Sequence, residues 1–167
     1  MNHPWSIWLL PDREDRMKYK KIIDRLSLEN GSRPFEPHVT LFGRVNVDPE
    51  PLFEFFGHEA SVQGRLTSNI RKITRGTPPW RSLYVEVDRD IHLGAFQKRM
   101  TGPLEHVREY RFDPHLSLAY GDVRNAKYAI KDISLDVTIG FSSVALAYVP
   151  DEIDDWNLIK EFKFDFD

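Results

Sequence analysis

Two short stretches of the chain carry the same chemically useful residues in the same order. The first reads Pro-Phe-Glu-Pro-His-Val-Thr-Leu-Phe-Gly over 34–43, and the second reads Arg-Phe-Asp-Pro-His-Leu-Ser-Leu-Ala-Tyr-Gly over 111–121. Each stretch places a histidine two residues before a hydroxyl side chain, His38 before Thr40 and His115 before Ser117. The two histidines lie 77 residues apart, close to half the chain, and a repeat of that period indicates duplicated structure.

Two imidazoles and two hydroxyls together suit proton transfer at phosphorus. An ordinary histidine has a pKa of about 6.5, so one neutral ring can take a proton from water while a protonated ring gives one to a leaving oxygen. The hydroxyls can donate hydrogen bonds to phosphoryl oxygens as charge develops there. One such motif alone indicates only a histidine that ends a strand, but two matched copies favour cleavage of a cyclic phosphodiester. A metal site on His38 and His115 is not expected, because no Asp or Glu shares their strand face within either motif.

Short strands must present these side chains. The prolines favour extended backbone at the preceding Glu36 and Asp113. In the strand that follows, His38 and Thr40 share one face while 39 and 41 supply aliphatic side chains to the other. The second motif repeats this arrangement, so we expect each imidazole and hydroxyl to lie side by side above an apolar layer.

The duplication extends upstream of both motifs. Residues 6–12 align with 82–88, and each segment reads as a strand closed by Asp. Asp12 is the expected N-cap of a helix over 13–28 that Asn30-Gly31 ends, and a second long helix is expected over 91–107. The apolar stripe of the first helix is predicted to consist of Met17, Ile22, Ile23 and Leu26. The repeated unit is therefore strand, helix and histidine strand, and a pseudo-two-fold axis would bring both histidine strands to one cleft.

The remaining segments predict a mixed α+β chain with a largely antiparallel sheet. A short strand is expected over 43–48 and a helix over 52–56 that Gly57 closes. Two strands, over 61–75 and 80–87, flank a turn at 76–79. A further helix is expected over 122–131, and the closing strands over 135–149 and 156–166 are joined by an acidic turn.

Composition narrows the class of protein. The 167 residues predict one domain, 1–167, and a hydrophobic share of 41% is ordinary for a globular protein. The sequence has no cysteine, which excludes disulfides, a catalytic thiol and thiolate zinc sites. A net charge of −3 does not favour a nucleic-acid duplex as partner. Neither a signal peptide nor a membrane span is predicted, so a cytoplasmic location is expected.

The two motifs, His38-Val39-Thr40-Leu41 and His115-Leu116-Ser117-Leu118, resemble the His-x-Thr/Ser-x signature pair of the 2H phosphoesterase superfamily. Within that superfamily the chain is most similar to the cyclic phosphodiesterase branch, and the likeness covers nearly its whole length. The resemblance implies a bilobal fold, with antiparallel sheets facing a central cleft and helices outside. It also implies metal-independent hydrolysis of a nucleoside 2′,3′-cyclic phosphate or of ADP-ribose 1″,2″-cyclic phosphate, with His38 and His115 as catalytic residues and no cofactor.

Two aromatic residues join the expected site through the resemblance. By position they are Trp8 on the first strand and Tyr120 after the second motif, beside the phosphate-binding Thr40 and Ser117. Trp8 has an alternative interpretation as a core aromatic. Strict alternation from His115 would place Tyr120 on the opposite face, so it fits the site only if the strand twists or ends before Gly121. Trp80 and Arg81 either contact the substrate or form an exposed hairpin tip.

Two other functions stay open at this point. An RNA end is an alternative substrate, for which Arg71, Lys72 and Arg75 would form a thin basic track. A non-catalytic nucleotide-binding module is the second alternative, although binding alone would not need two titratable groups. The expected partner is a small cyclic-phosphate nucleotide, with RNA ends as the other candidate. We expect no membrane partner, and we expect the protein to be a monomer. The sequence does not say which histidine is the base.

Overall fold

The structure, a computed structural model, describes residues 4–123 and 130–165. Its strands are β1 (Trp5–Pro11), β2 (Val39–Val45), β3 (Leu66–Arg75), β4 (Leu83–Val87), β5 (His115–Ala119), β6 (Thr138–Tyr148) and β7 (Asn157–Lys163). Its α-helices are α1 (Arg13–Asn30), α2 (Phe53–Ser61) and α3 (Ile91–Thr101). The predicted α+β class is confirmed, and every strand pairing is antiparallel.

The sheet has two halves that share one long strand. In the first half β1 lies between β2 and β6, and β7 extends the other edge of β6. In the second half β4 lies between β3 and β5, and β3 pairs with the beginning of β6. The two histidine strands β2 and β5 meet at a single pair, Val39 with Leu116. The halves are thus joined at both sides, which brings the two motifs together.

The duplicated unit is visible in the strand register. β1, α1 and β2 form one copy and β4, α3 and β5 the other, with Trp8 opposite Thr40 and Tyr84 opposite Ser117. Asp12 caps α1 as predicted, because its carboxylate accepts a hydrogen bond from the Asp15 amide. Asp90 caps α3 in the same way. Equivalent turns therefore start both helices.

The core holds the histidine strands in place from behind. Val39 and Leu41 of β2 are fully buried in one large apolar cluster, together with the aliphatic residues of β5. Complete burial of each such side chain contributes roughly 1.5–3 kcal/mol. The predicted alternation is confirmed here, since Thr40 faces away from that cluster and lines a cavity.

Two details of the helices differ from the predictions. Met17 was expected in the apolar stripe of α1 but is 54% exposed, because the helix packs through Tyr19, Ile23 and Leu26 instead. Gly57 was expected to close the second helix, yet α2 continues to Ser61. A Cβ atom on Gly57 would lie 3.7 Å from the Phe162 ring, an ordinary packing distance, so this position in α2 would also accept a side chain as small as alanine.

Other boundaries are shorter than the sequence indicated. The second long helix was expected to reach Val107 but ends at Thr101, followed by a 3₁₀ turn that contains Pro103, a residue without an amide hydrogen. The segment expected as a strand over 43–48 is the end of β2 rather than a separate strand. The core of the helix predicted over 122–131 lies outside the described residues. Among the described helices, none combines the length and apolarity that crossing a membrane would require.

Candidate active site

Both histidines are anchored by the same backbone hydrogen bond. Nδ1 of His38 lies 2.7 Å from the carbonyl oxygen of Glu36, and Nδ1 of His115 lies 2.8 Å from that of Asp113. In each motif the intervening proline fixes the turn that brings this carbonyl under the ring. A carbonyl only accepts hydrogen bonds, so Nδ1 carries the proton in the neutral ring. Nε2 of each histidine is then the nitrogen left for proton transfer.

The two histidines line one cavity of about 240 Å³. Its wall includes four of the residues expected from the sequence, namely His38, Thr40, His115 and Trp8. Tyr120 also lines it, because β5 ends at Ala119 and the chain then departs from strict alternation. Ser117 is buried next to the cavity, and its side chain hydrogen-bonds with the Tyr120 hydroxyl. The folding of the chain therefore gathers residues from β1, β2 and β5 in one place.

His38 is held in a dry aromatic slot. The Trp8 indole stacks on its imidazole with ring centroids 3.8 Å apart and planes 12° from parallel. His38 is 5% exposed. Burial lowers the pKa of His38 to about 4, against an opposing contribution from the Glu36 carbonyl and with a further lowering by His115. His38 is consequently neutral at physiological pH.

His115 has a more open environment. Its ring meets Tyr84 edge-on, with centroids 5.2 Å apart, and its side chain is half-buried. Burial lowers the pKa of His115, while the hydrogen bond to the Asp113 carbonyl raises it; Arg81 lowers it further and the Asp113 carboxylate raises it. Arg81 and Asp113 form an ion pair at 2.9 Å beside the ring. Both charges of this pair are thus near the more exposed histidine.

The two hydroxyl side chains are not equivalent. Thr40 lines the cavity directly, whereas Ser117 is engaged by Tyr120. Burial raises the pKa of Tyr120 to about 12, so its hydroxyl keeps its proton at neutral pH. Thr40 can therefore contact a phosphoryl oxygen in the cavity directly. The Ser117 hydroxyl is already hydrogen-bonded with Tyr120, and that bond would have to be shared or broken before Ser117 could bind the same oxygen.

The tryptophans form a wall that the sequence predicted only in part. Trp8, Trp80 and Trp156 all line the cavity, and the rings of Trp80 and Trp156 lie 6.0 Å apart at 20°. Trp80 lies at the tip of the loop before β4 and also lines the cavity. The two alternatives for Trp80, a hairpin tip and a residue of the site, therefore both describe its position. Trp156 was not predicted as a site residue. Its Nε1 donates to the Pro150 carbonyl at 2.8 Å, which fixes the ring at the start of β7.

Two arginines supply positive charge to the cavity. The sequence indicates Arg81 as a candidate substrate contact. It does not predict Arg44 as a site residue, although Arg44 directly follows the Gly that ends the first motif. Arg44 has a φ of +52°, a conformation rare outside glycine and often found at functional sites. Its amide donates to the Ser6 hydroxyl at 2.9 Å and its guanidinium donates to Asp151 at 2.8 Å. A negatively charged group in the cavity would be stabilised by both cations. Within residues 4–123 and 130–165, no three His, Asp or Glu side chains cluster with metal-site geometry.

Comparisons with known proteins concern the fold of the chain rather than the details of its site. No family model matches the chain. The chain is similar to a cyclic phosphodiesterase of Arabidopsis thaliana, with 21% identity over 119 residues, which cover 71% of this chain and 66% of that protein. The similarity therefore spans just under two thirds of the length of that relative.

Solved structures resemble the whole chain. A Thermus thermophilus protein has a TM-score of 0.64 at 13% identity, covering 96% of this chain and 97% of its own. E. coli LigT in complex with 3′-AMP has a TM-score of 0.60 at 13% identity, covering 97% and 98%. A protein described as a phosphoesterase has a TM-score of 0.60 at 14% identity, covering 98% and 99%. At these identities the likeness establishes a shared fold.

Proposed function

We propose that this chain, which has the fold of the 2H phosphoesterases and resembles their cyclic phosphodiesterase branch, hydrolyses a cyclic phosphodiester to a phosphomonoester. The candidate substrates are a nucleoside 2′,3′-cyclic phosphate and ADP-ribose 1″,2″-cyclic phosphate. One observation carries the proposal: two histidines in the same cavity, each with Nδ1 bonded to a backbone carbonyl and Nε2 left for chemistry. Binding alone would not require this duplicated arrangement.

The unequal environments of the histidines support different roles for the two rings. His38, whose pKa burial lowers to about 4, is neutral and serves as the general base. Its Nε2 takes a proton from a water molecule while the water oxygen forms a new bond to phosphorus. His115 is more exposed and serves as the general acid, and a bound phosphate anion would favour its protonated form. Its proton passes to the ribose oxygen as the ring P–O bond breaks.

Water and the cyclic ester are thereby converted into a phosphomonoester with one free hydroxyl. His38 ends the reaction protonated and His115 neutral, and proton exchange with solvent restores both. During the reaction, negative charge grows on the non-bridging oxygens. Thr40 donates a hydrogen bond to that charge, with Arg44 and Arg81 close by. The mechanism uses no metal and no cofactor, and the indoles of Trp8 and Trp156 offer surfaces to the nucleoside.

The proposed enzyme acts as a single-domain monomer in the cytoplasm. Support for a monomeric unit comes from the cavity itself, since one chain supplies both histidines. The cysteine-free sequence is compatible with a reducing compartment. Size-exclusion chromatography with light scattering checks the monomer, and microscopy of a tagged chain checks its location.

Hydrolysis of 2′,3′-cyclic nucleotides and of ADP-ribose 1″,2″-cyclic phosphate tests the function, with products separated by chromatography and excess chelator present throughout. We expect turnover by the wild type, loss of turnover in His38→Ala and in His115→Ala, and wild-type turnover in His106→Ala, a matched change at an exposed histidine outside the cavity. The product isomer shows which ester bond opens.

Three results would contradict the proposal. Binding of cyclic nucleotides without turnover would indicate the non-catalytic binding module. Loss of activity with chelator would overturn the metal-free mechanism. Equal activity in the wild type and in either cavity variant would exclude the two-histidine chemistry.

A further inference from the structure

A cavity of about 730 Å³ lies between the first half of α1 and the end of β7. It is about three times as large as the histidine cavity. Small-molecule sites usually measure about 300–1,000 Å³, a range that includes this cavity and excludes the histidine cavity. A substrate that fills the histidine cavity therefore has room for only its reacting part there.

Basic side chains dominate the rim of the large cavity. They come from α1 and β7 and comprise Arg13, Arg16, Lys20, Lys21 and Lys163. The two acidic residues of the lining, Glu36 and Glu161, both pair with Arg16, at 3.3 and 3.6 Å. Among the described residues, Arg13, Lys21 and Lys163 have no ion-pair partner. The cavity has a net positive charge, which suits a phosphate-bearing ligand.

The floor of the same cavity is apolar. Met17 is 54% exposed here, although its neighbours on α1 are charged. Pro11 and Phe164 also line the cavity but are buried, so Met17 supplies most of the apolar surface that is open to a flat ring. A basic rim around an apolar floor matches a nucleotide, with phosphate at the rim and base on the floor.

A third cavity, of about 260 Å³, adjoins both the large cavity and the histidine cavity. It shares Lys20 and Glu36 with the large cavity. On its other side it shares Trp8 and Trp156 with the histidine cavity. We call these three adjoining cavities the groove, and both aromatic and basic side chains line it. A combination of stacking surfaces and cations is how proteins hold single-stranded nucleic acid.

We propose that the large cavity is a second nucleotide site, which binds the nucleotides that precede the cyclic phosphate on a single RNA strand. This inference rests on the proposed function, because it places the strand end at His38 and His115. Lys21 and Lys163 contact the strand phosphates and Met17 lies under a base. The basic track suggested by the sequence, at Arg71, Lys72 and Arg75, lies on β3 and lines none of the three cavities.

The test compares substrates of different length. We measure kcat/KM for a 2′,3′-cyclic mononucleotide and for a tetraribonucleotide with the same cyclic end, and use the ratio of the two values. The double variant Lys21→Glu/Lys163→Glu is compared with Lys72→Glu/Lys98→Glu, which makes the same change in net charge outside the groove.

We expect the wild type to favour the tetranucleotide, and the groove variant to lose that preference about tenfold or more. Removal of two phosphate contacts should also reduce the slope of log affinity against log salt by about 1.4. The control variant should retain both the preference and the slope. Equal values of kcat/KM for the two substrates in the wild type would overturn the inference, as would equal losses in the groove variant and in the control.

Binding separates this inference from the proposed function. Fluorescence anisotropy with a labelled tetraribonucleotide 3′-phosphate needs no turnover. If no cyclic phosphate is hydrolysed, tight binding that the groove variant alone loses still supports the second nucleotide site. Absence of that difference rejects the site, whether or not the mononucleotide is a substrate. If the wild type instead prefers ADP-ribose 1″,2″-cyclic phosphate over both the mononucleotide and the tetranucleotide, and only the groove variant loses that preference, the large cavity would be assigned to an ADP group. This result would overturn the proposal that it binds an RNA strand.

Discussion

His38 and His115 make the same hydrogen bond through Nδ1, yet their rings have different aromatic neighbours. In the first half of the molecule, Trp8 stacks flat on His38 and excludes water from it. In the second half, the smaller Tyr84 meets His115 edge-on and leaves it half-exposed. Trp8 and Tyr84 are equivalent positions, each opposite the hydroxyl residue of its motif.

Under the proposed mechanism, this difference gives the two copies of a duplicated motif different roles. The shared Pro-His turn fixes where the proton-transfer nitrogen lies, while the neighbouring strand decides how strongly each ring prefers to be neutral. A general base and a general acid must be in opposite protonation states at the same pH. Unequal burial provides this difference without any change in the motif itself. The following predictions test the comparison, from the largest expected effect to the smallest.

Removal of either imidazole should lower kcat about 10²–10⁴-fold, and the two variants should differ in pH dependence. The wild-type profile of kcat/KM should rise with pH near 4 as His38 loses its proton. It should fall at a pH below 6.5 as His115 loses its own, because burial lowers that pKa. His38→Ala should lack the acid limb and His115→Ala the alkaline limb. The opposite assignment of limbs would reverse the proposed roles.

Loss of the Thr40 hydroxyl, which lines the cavity, should lower activity more than loss of the Ser117 hydroxyl, which is bonded to Tyr120. Thr40→Val keeps the shape of the side chain and removes a donor that faces the cavity, so kcat should fall about 10²–10³-fold. Ser117→Ala removes a hydroxyl that already bonds Tyr120, so a smaller fall is expected. Steady-state kinetics on a cyclic nucleotide measures both. A larger loss in Ser117→Ala would show that the second hydroxyl is the main phosphate donor.

Replacement of the stacking aromatic should shift one limb of the pH profile. Trp8→Leu admits water to His38, so its pKa should rise from about 4 toward the ordinary 6.5. The acid limb of the profile should therefore move to higher pH, and activity at pH 5 should fall. Tyr84→Leu is the matched change beside His115 and should leave the acid limb in place. If Trp8→Leu and the wild type have the same acid limb, stacking of Trp8 is not the cause of the low pKa of His38.

The smallest effects are expected at the Arg81–Asp113 ion pair. Arg81 lowers the pKa of His115 and Asp113 raises it, so Arg81→Gln should move the alkaline limb up and Asp113→Asn should move it down. The pair is partly exposed, so each substitution should move the limb by only a small amount. A pH–rate profile of each variant measures the limb. Shifts in the same direction would exclude a charge effect on His115.

The sequence predicts the positions of His38 and Thr40 well because local rules determine them. Proline restricts the residue before it, and strand alternation then separates His38 and Thr40 from Val39 and Leu41. Trp156 and Arg44 could not be placed in this way, since they reach the cavity through the packing of β7 beside β6 and through an unusual backbone conformation. The exposure of Met17 also depends on tertiary packing, because α1 could have turned either side of its apolar stripe inward.

The unequal histidines can be observed directly by NMR titration of the two imidazoles from about pH 3 to pH 8. Spectra of His38→Ala and His115→Ala assign the two signals. We predict that His38 titrates near pH 4, that His115 titrates above it but below 6.5, and that both neutral rings carry the proton on Nδ1. A higher pKa for His38 than for His115, or ordinary values for both, would contradict the division of the pair into base and acid.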